Sequence, residues 1–381
     1  MQGSRTAVAA GESAAQIARS IADELRDPDL RIAFVFADWQ LDAHELAREL
    51  HAVLAPARIV GGTTIGVIGP GRSTEKNFAA VALGMYGDAV RVGIGVAREL
   101  PLGGLTRARD AMVAAARDLG TPLEAMTSSR HVGITFVDGK CGQEETFCIG
   151  SAAAAPQIRV VGGCAASEVA SPRKPFVFVD GAALQDAGIV AMLETELPFH
   201  PLRSQHLLAT DSRMVVTSSS GRVIEELDGK PAFQRLQALV HQLGGELQGD
   251  QFQLYNFARF VDGIPYVRSI VGFDGDRILL ASGVDNGHVL RLMRPGDLIG
   301  TTQKDLANAV AQVGGQTSAL LAFSCIGRHW EAATRGVSDE LSLAYAAYGA
   351  IGFQSYGEQS GMLLVNHTLT GLAIGVAERP A

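Results

Sequence analysis

The residues able to do chemistry in this chain are few and scattered. Four cysteines, Cys141, Cys148, Cys164 and Cys325, include no Cys-x-x-Cys pair, so a structural zinc site has no support. The Cys-x-x-Cys-His pattern of covalent haem attachment is also missing. Cys325 and His329 lie four apart, the spacing of a thiolate–imidazole pair on a helix. Cys164, directly after Gly162-Gly163, sits where a tight turn would present a nucleophile. Neither brings the third, orienting group that catalysis needs, and the sequence holds no GxSxG, HExxH or GxxxxGK[ST] phrase. The expectation is therefore buried, reduced cysteines and no enzyme. A thiol-dependent enzyme acting at Cys164 or Cys325 is the catalytic alternative.

A second set is polar and embedded in apolar sequence: Arg328, Tyr356, Glu358 and Asn366. Arg328 could anchor a carboxylate ligand through two parallel hydrogen bonds, or form a buried pair with Glu358 that ties two segments together. Small residues at strand ends, Gly62, Thr63, Gly163 and Cys164, would let a ligand approach the backbone there, or simply make turns.

The elements that must position these groups follow from periodicity. Residues 13–26 place Ile17, Ile21 and Leu25 on one helical face, with Ser13 as cap. Arg31–Asp38 reads as a buried strand, 41–54 as an amphipathic helix, and Arg58–Val60 as a strand running into Gly61-Gly62. This β-α-β phrase returns as His131–Asp138, a helix through 142–156, and Arg159–Val161 before Gly162-Gly163. A fainter third copy runs from 318 to Cys325, through a helix, to Gly352. Between them lie strand-like stretches, among them 77–86, 213–227 with a turn at Ser219-Ser220-Gly221, and His288–Met293. The expected fold is α/β, with mixed sheets, internally repeated β-α-β units and two halves. The segment Leu227–Ala232 is the expected boundary.

Composition narrows the function. Hydrophobic residues make up 47% of the 381, enough for a large core. The net charge of -8 and the lack of a Lys/Arg cluster argue against nucleic-acid binding. No apolar run approaches the roughly 20 residues of a membrane helix, and the first residues lack a secretory core. A cytoplasmic location is expected.

The motifs in their order resemble the FIST family. The phrase Gly61-Gly62-Thr63-Thr64-Ile65-Gly66-Val67-Ile68 matches a family turn, with Val67 where the pattern has Glu. Asp138-Gly139, Val161-Gly162-Gly163 and Leu227-Asp228-Gly229 also fit the N-terminal domain. Cys325-Ile326-Gly327-Arg328, Gly352-Phe353 with Tyr356-Gly357-Glu358, and Asn366-His367-Thr368-Leu369-Thr370 fit the C-terminal domain. The resemblance places the first domain at 20–226 and the second at 227–375.

The resemblance implies a small-ligand sensor in bacterial signal transduction that acts through a separate signalling protein. It also points to the NosP-type branch, which implies haem, nitric oxide sensing and a partner histidine kinase. Among nine histidines, the order of nomination for a haem ligand is His288, His329, His241. His288 follows an Asp-Asn-Gly turn at a strand start, and His367 belongs to the general family motif. The non-haem alternative is an amino-acid-like ligand held by Arg328 and backbone N–H groups. A scaffold or adaptor role is a further alternative.

Overall fold

The computed structural model describes residues 3–69 and 78–377. In chain order, β1 (Gly3–Gly11), α1 (Ala14–Leu25), β2 (Leu30–Asp38), α2 (Ala43–Leu54), β3 (Arg58–Thr64), β4 (Val67–Ile68) and β5 (Phe78–Tyr86) come first. Then follow β6 (Val90–Ala97), α3 (Gly104–Leu119), β7 (His131–Asp138), α4 (Glu144–Ala154), β8 (Arg159–Ala165), β9 (Val177–Val179), β10 (Ala182–Leu184) and β11 (Gly188–Thr195). The middle of the chain forms β12 (Phe199–Ser204), β13 (Leu208–Ser220), β14 (Val223–Leu227), β15 (Lys230–Pro231), α5 (Ala232–Gln242) and the meander β16 (Asn256–Val261), β17 (Ile264–Arg268), β18 (Ile270–Asp274), β19 (Arg277–Leu280) and β20 (Val289–Arg294). Last come α6 (Leu298–Gln312), β21 (Thr317–Cys325), α7 (Ile326–Arg335), α8 (Ser338–Ala346), β22 (Ile351–Ser355), β23 (Glu358–Ser360), β24 (Leu363–Val365) and β25 (Leu369–Gly375).

Three sheets surround one core, and each is centred on a parallel pair. β2 lies beside β3, β7 beside β8, and β21 beside β22. Parallel neighbours need a helical crossover, and α2, α4 and the α7–α8 pair supply it on the outside of each sheet. All three expected β-α-β copies are therefore present, including the faint third. Ser13 caps α1 through the Gln16 N–H, as its position suggested. Asn77, where the strand now seen as β5 was expected to begin, lies outside the described residues, as do Met1 and Gln2 of the leader reading.

The repeats meet at their phenylalanines. Phe36, Phe136 and Phe323 hold the same position two residues before the end of β2, β7 and β21. Their ring centroids stand 5.6, 5.7 and 6.2 Å apart, nearly an equilateral triangle. Opposite the first two across the parallel pair are Gly62 and Gly163; opposite Phe323 is Phe353. That fourth ring stacks on Phe36 at 4.7 Å. A Cβ on Gly163 would come 2.9 Å from Phe353 Cζ and 3.1 Å from Phe323 Cβ. Glycine at this position thus makes room for the third repeat's rings.

Each repeat also lends strands to a neighbour. β4 of the first pairs with β22 of the third, β9 of the second pairs with β3 of the first, and β23 of the third pairs with β8 of the second. The fourth sheet, in the order β17-β16-β20-β13-β14-β19-β18, stands apart and packs its own core against α5. Sequence periodicity did not reveal β1 or the hairpins from β16 to β18.

Candidate functional site

A cavity of about 230 Å³ opens where the second repeat, the third repeat and the fourth sheet meet. The second repeat contributes Gly139 and Lys140, just beyond β7. From the third come Cys325 and Gly327 at the start of α7, Trp330 one turn on, Tyr356 after β22, and His367. Asn256, Ser269, Ile270, Val271 and Leu280 come from the fourth sheet. Beyond the carboxyl ends of parallel strands is where open α/β sheets usually bind ligands.

Close backbone approach builds one wall. A Cβ on Gly139 would meet Ala165 O at 2.5 Å and Tyr356 Cβ at 2.9 Å, so glycine lets the tyrosine in. The Tyr356 hydroxyl donates to Ser167 O, and its burial pushes its pKa up to about 12. Lys140 Nζ donates to Ser171 O at 2.7 Å, Glu168 O at 2.9 Å and Arg173 O at 3.3 Å, pinning the loop that carries Val169 into the wall.

The opposite wall is backed by a buried polar chain. His367 has φ +55°, a left-handed backbone that side chains rarely adopt, and its ring lies over Gly327. A Cβ on Gly327 would sit 2.7 Å from His367 Nδ1. Held backbone strain of this kind gathers at functional sites. Asn256 Oδ1 accepts from Ile270 N, so Nδ2 is the group facing His367 Nδ1 at 3.4 Å. His367 Nε2–H therefore donates to Glu331 Oε2 at 2.8 Å. His206 Nε2–H donates to the same oxygen at 2.8 Å, while its Nδ1 accepts from Arg328 Nη1 at 3.3 Å. Burial holds His206 neutral, with a pKa pushed down to about 4. Burial alone would raise the Glu331 pKa, but the His206 and His367 hydrogen bonds outweigh it and hold the carboxylate well below its ordinary range. Arg335 completes the chain by donating to Glu331 Oε1 at 2.6 Å.

His206, Glu331 and His367 place three possible metal-ligand atoms within 4.8 Å of one another. They do not fit a metal ion. Metal on either Nε2 would move that ring's proton to Nδ1, which would then point at another donor, Arg328 N–H or Asn256 N–H. This cluster is a hydrogen-bond network, in which the buried Arg328 Nε is left without a partner.

Haem does not fit this cavity. The cavity is smaller than the roughly 300–1,000 Å³ of pockets for drug-sized ligands. The one imidazole in its wall has both nitrogens engaged. None of the three nominated histidines lines it. His288 sits half-buried just before β20, an inner strand of the fourth sheet, its Nδ1 accepting from Asp285 N at 3.2 Å. His329 is packed near Tyr345, with Nε2 3.2 Å from Ser324 Oγ, and burial pushes its pKa down to about 3. His241 is exposed in the last turn of α5.

Of the residues expected to bind ligand, only Tyr356 lines the cavity. Arg328 is fully buried and donates to Thr302 Oγ1 at 2.5 Å and to His206. It makes no ion pair with Glu358, so the expected pairing is not formed, and it does not line the cavity. Glu358 instead accepts from Ser355 Oγ and Thr368 Oγ1, each at 2.5 Å, and burial pushes its pKa up to about 8. Asn366 is buried behind Gly357, its Oδ1 accepting from Ser282 Oγ at 2.9 Å. Gly62 and Thr63 are packed against the Phe176–Val177 backbone, and Gly163 lies under the phenyl rings. Cys164 is buried, its thiol pKa raised well above the ordinary value by burial. Cys325 does reach the wall, but burial and then the neighbouring Glu358 push its thiol pKa up as well, against a nucleophilic thiolate.

Family models match the FIST N domain over residues 8–230 and the FIST C domain over 232–361. This chain belongs to the FIST family. FIST domains are associated with small-ligand sensing in signal transduction. No curated protein sequence matches the chain. Among solved structures, cyanuric acid hydrolase from A. caulinodans is similar along the whole length, covering 99% of this chain and 100% of its own, at 12% identity and a TM-score of 0.38. Among the described residues of this FIST protein, no helix is long and apolar enough to cross a membrane.

Proposed function

We propose that this FIST protein senses a small acid of amino-acid size, bound in the 230 Å³ cavity, and passes its occupancy to a separate signalling protein. The observation that carries this reading is the construction of the cavity: both family-matched regions and the fourth sheet each own part of its wall. A ligand there touches all of these parts at once, so a ligand that favours one arrangement of them over another shifts the balance between the two.

Charge and shape favour an acid with an apolar body. Behind His367 lie Arg328 and Arg335, with only Glu331 between them as an anion, because Glu358 is largely protonated at neutral pH. The first turn of α7 opens onto the same space, and a helix N-terminus favours negative charge. Ser269 Oγ is buried in the wall without a partner. Ile270, Val271, Leu280 and Trp330 offer the apolar side. From the cavity, His367–Glu331–His206 leads to the segment joining β12 and β13, a route by which occupancy reaches the fourth sheet. The partner in this reading is a histidine kinase.

Trp330 makes the reading testable. In a Trp39→Phe background it is the remaining tryptophan of the two in the chain. Titration with the amino acids and short-chain carboxylates should give a saturable change in its fluorescence for one of them. No response at millimolar concentration to any member of the panel overturns the ligand assignment. A kinase whose autophosphorylation ignores the ligand state overturns the partner assignment alone.

A further inference from the structure

A second cavity, of about 520 Å³, lies at the start of β8, the opposite end of the strand from the first. Its walls are the first residues of β8, the edge strand β12, and the turn between β23 and β24. Three of its side chains are basic: Arg159, His200 and Arg203. No carboxylate lines it, in a chain with 40 acidic residues against 32 Lys and Arg.

The arginines are not neutralised elsewhere. The exposed Arg159 side chain has neither a hydrogen bond nor an ion pair with any described residue. Arg203 donates through Nη2 to Pro265 O at 2.7 Å and lies over the Tyr266 ring at 4.9 Å, and its Nε is buried without a partner. Neither contact supplies negative charge, and a half-buried guanidinium without an anion is costly. Burial and the nearby Arg159 also lower the pKa of His200, so its neutral ring can donate a hydrogen bond without adding charge. The remaining wall is apolar, with Pro156, Ile158 and Leu202.

We propose that this cleft is a second ligand site, for a small dianion of the phosphate or dicarboxylate type, held by the guanidinium groups of Arg159 and Arg203. Two planar forks and no carboxylate match oxygens that accept in pairs, as phosphate and carboxylate do. The apolar wall selects dianions with a hydrophobic body. The site does not depend on the reading of the first cavity.

Calorimetric titration of the whole protein with inorganic phosphate, phenyl phosphate and succinate, each against chloride at matched ionic strength, tests it. Saturable binding of a phosphate or of succinate is expected, and the better of the two identifies the ligand type. Phenyl phosphate should bind more tightly than phosphate, because it also covers the apolar wall. Arg159→Gln, a surface change that leaves the core intact, should weaken binding at least tenfold. Arg203→Lys keeps the charge but loses the fork, and should weaken it to a lesser degree. Ser269→Ala in the first cavity should leave it unchanged. Binding no stronger than chloride for all three probes, or undiminished binding in a folded Arg159→Gln protein, overturns the proposal.

Discussion

Replacing Glu358 by Gln tests the electrostatics behind the first cavity most directly. The carboxyl is fully buried, and burial raises its pKa from the ordinary 4.5 to about 8. A folded value above the unfolded one means that the folded state holds a proton which the unfolded state releases. Its stabilising effect is thus complete below about pH 4.5 and is lost as pH rises towards 8. At about 1.36 kcal/mol per pH unit, the whole window is worth about 5 kcal/mol. Gln has the same shape and cannot ionise, and the Ser355 and Thr368 hydroxyls can turn to accept from its amide. Urea unfolding of both proteins between pH 5 and 8 gives the comparison, in which other titrating groups cancel. The stability of the native protein minus that of Glu358→Gln should fall by about 1.4 kcal/mol per pH unit. A flat difference, or one that favours the native protein more as pH rises, would mean that Glu358 is ionised and paired with Arg328. The charge account of the cavity would then fail.

Three further outcomes follow from the same geometry. Glu331→Gln should cost about 3–5 kcal/mol at pH 7, because Arg328 and Arg335 lose their buried anion; since the folded pKa of Glu331 is depressed, the gap to the native protein should close as pH falls below the ordinary value of 4.5. Gly163→Ala should lower unfolding free energy by about 1–3 kcal/mol with an unchanged denaturant slope, since the added methyl meets Phe353 and Phe323. Ser269→Ala should raise stability by about 1 kcal/mol, by removing a buried hydroxyl without a partner, and should weaken the first-cavity ligand by about two- to tenfold in the Trp330 titration.

What could be read from sequence was local. Phe36 and Asp38 before Gly61-Gly62, and Phe136 and Asp138 before Gly162-Gly163, are strand and turn chemistry within one β-α-β phrase, and they announce the repeat. The third copy was fainter because Cys325 replaces Asp, Phe353 stands opposite Phe323, and its crossover is two helices separated by Gly336. β1 went unread because its buried face consists of Ala7 and Ala9, too small to make an alternating apolar signal. The Asp262-Gly263 turn between β16 and β17 is a hairpin signal that residue type alone carries.

The site was far less legible. Gly139, Asn256, Ser269, Cys325 and His367 come together only through the sheets, so no spacing reports them. The buried partners of Arg328 are Thr302 and His206 on distant elements, not the Glu358 that lies nearer in sequence. His367 was visible in its Asn-His-Thr phrase, yet its left-handed backbone, which marks it as special, has no signature in residue type.

The lending of strands among the repeats runs in a closed ring: first to third, third to second, second to first. During synthesis the first two repeats leave the ribosome with Phe36 and Phe136 facing a place that only Phe323 and Phe353 can fill. The β3–β9 exchange can form early, but the other two wait for the last third of the chain. Consolidation of the core therefore waits until the third repeat has emerged. A fragment ending near residue 230, where the first family match ends, would carry an open hydrophobic face and behave as a chaperone client.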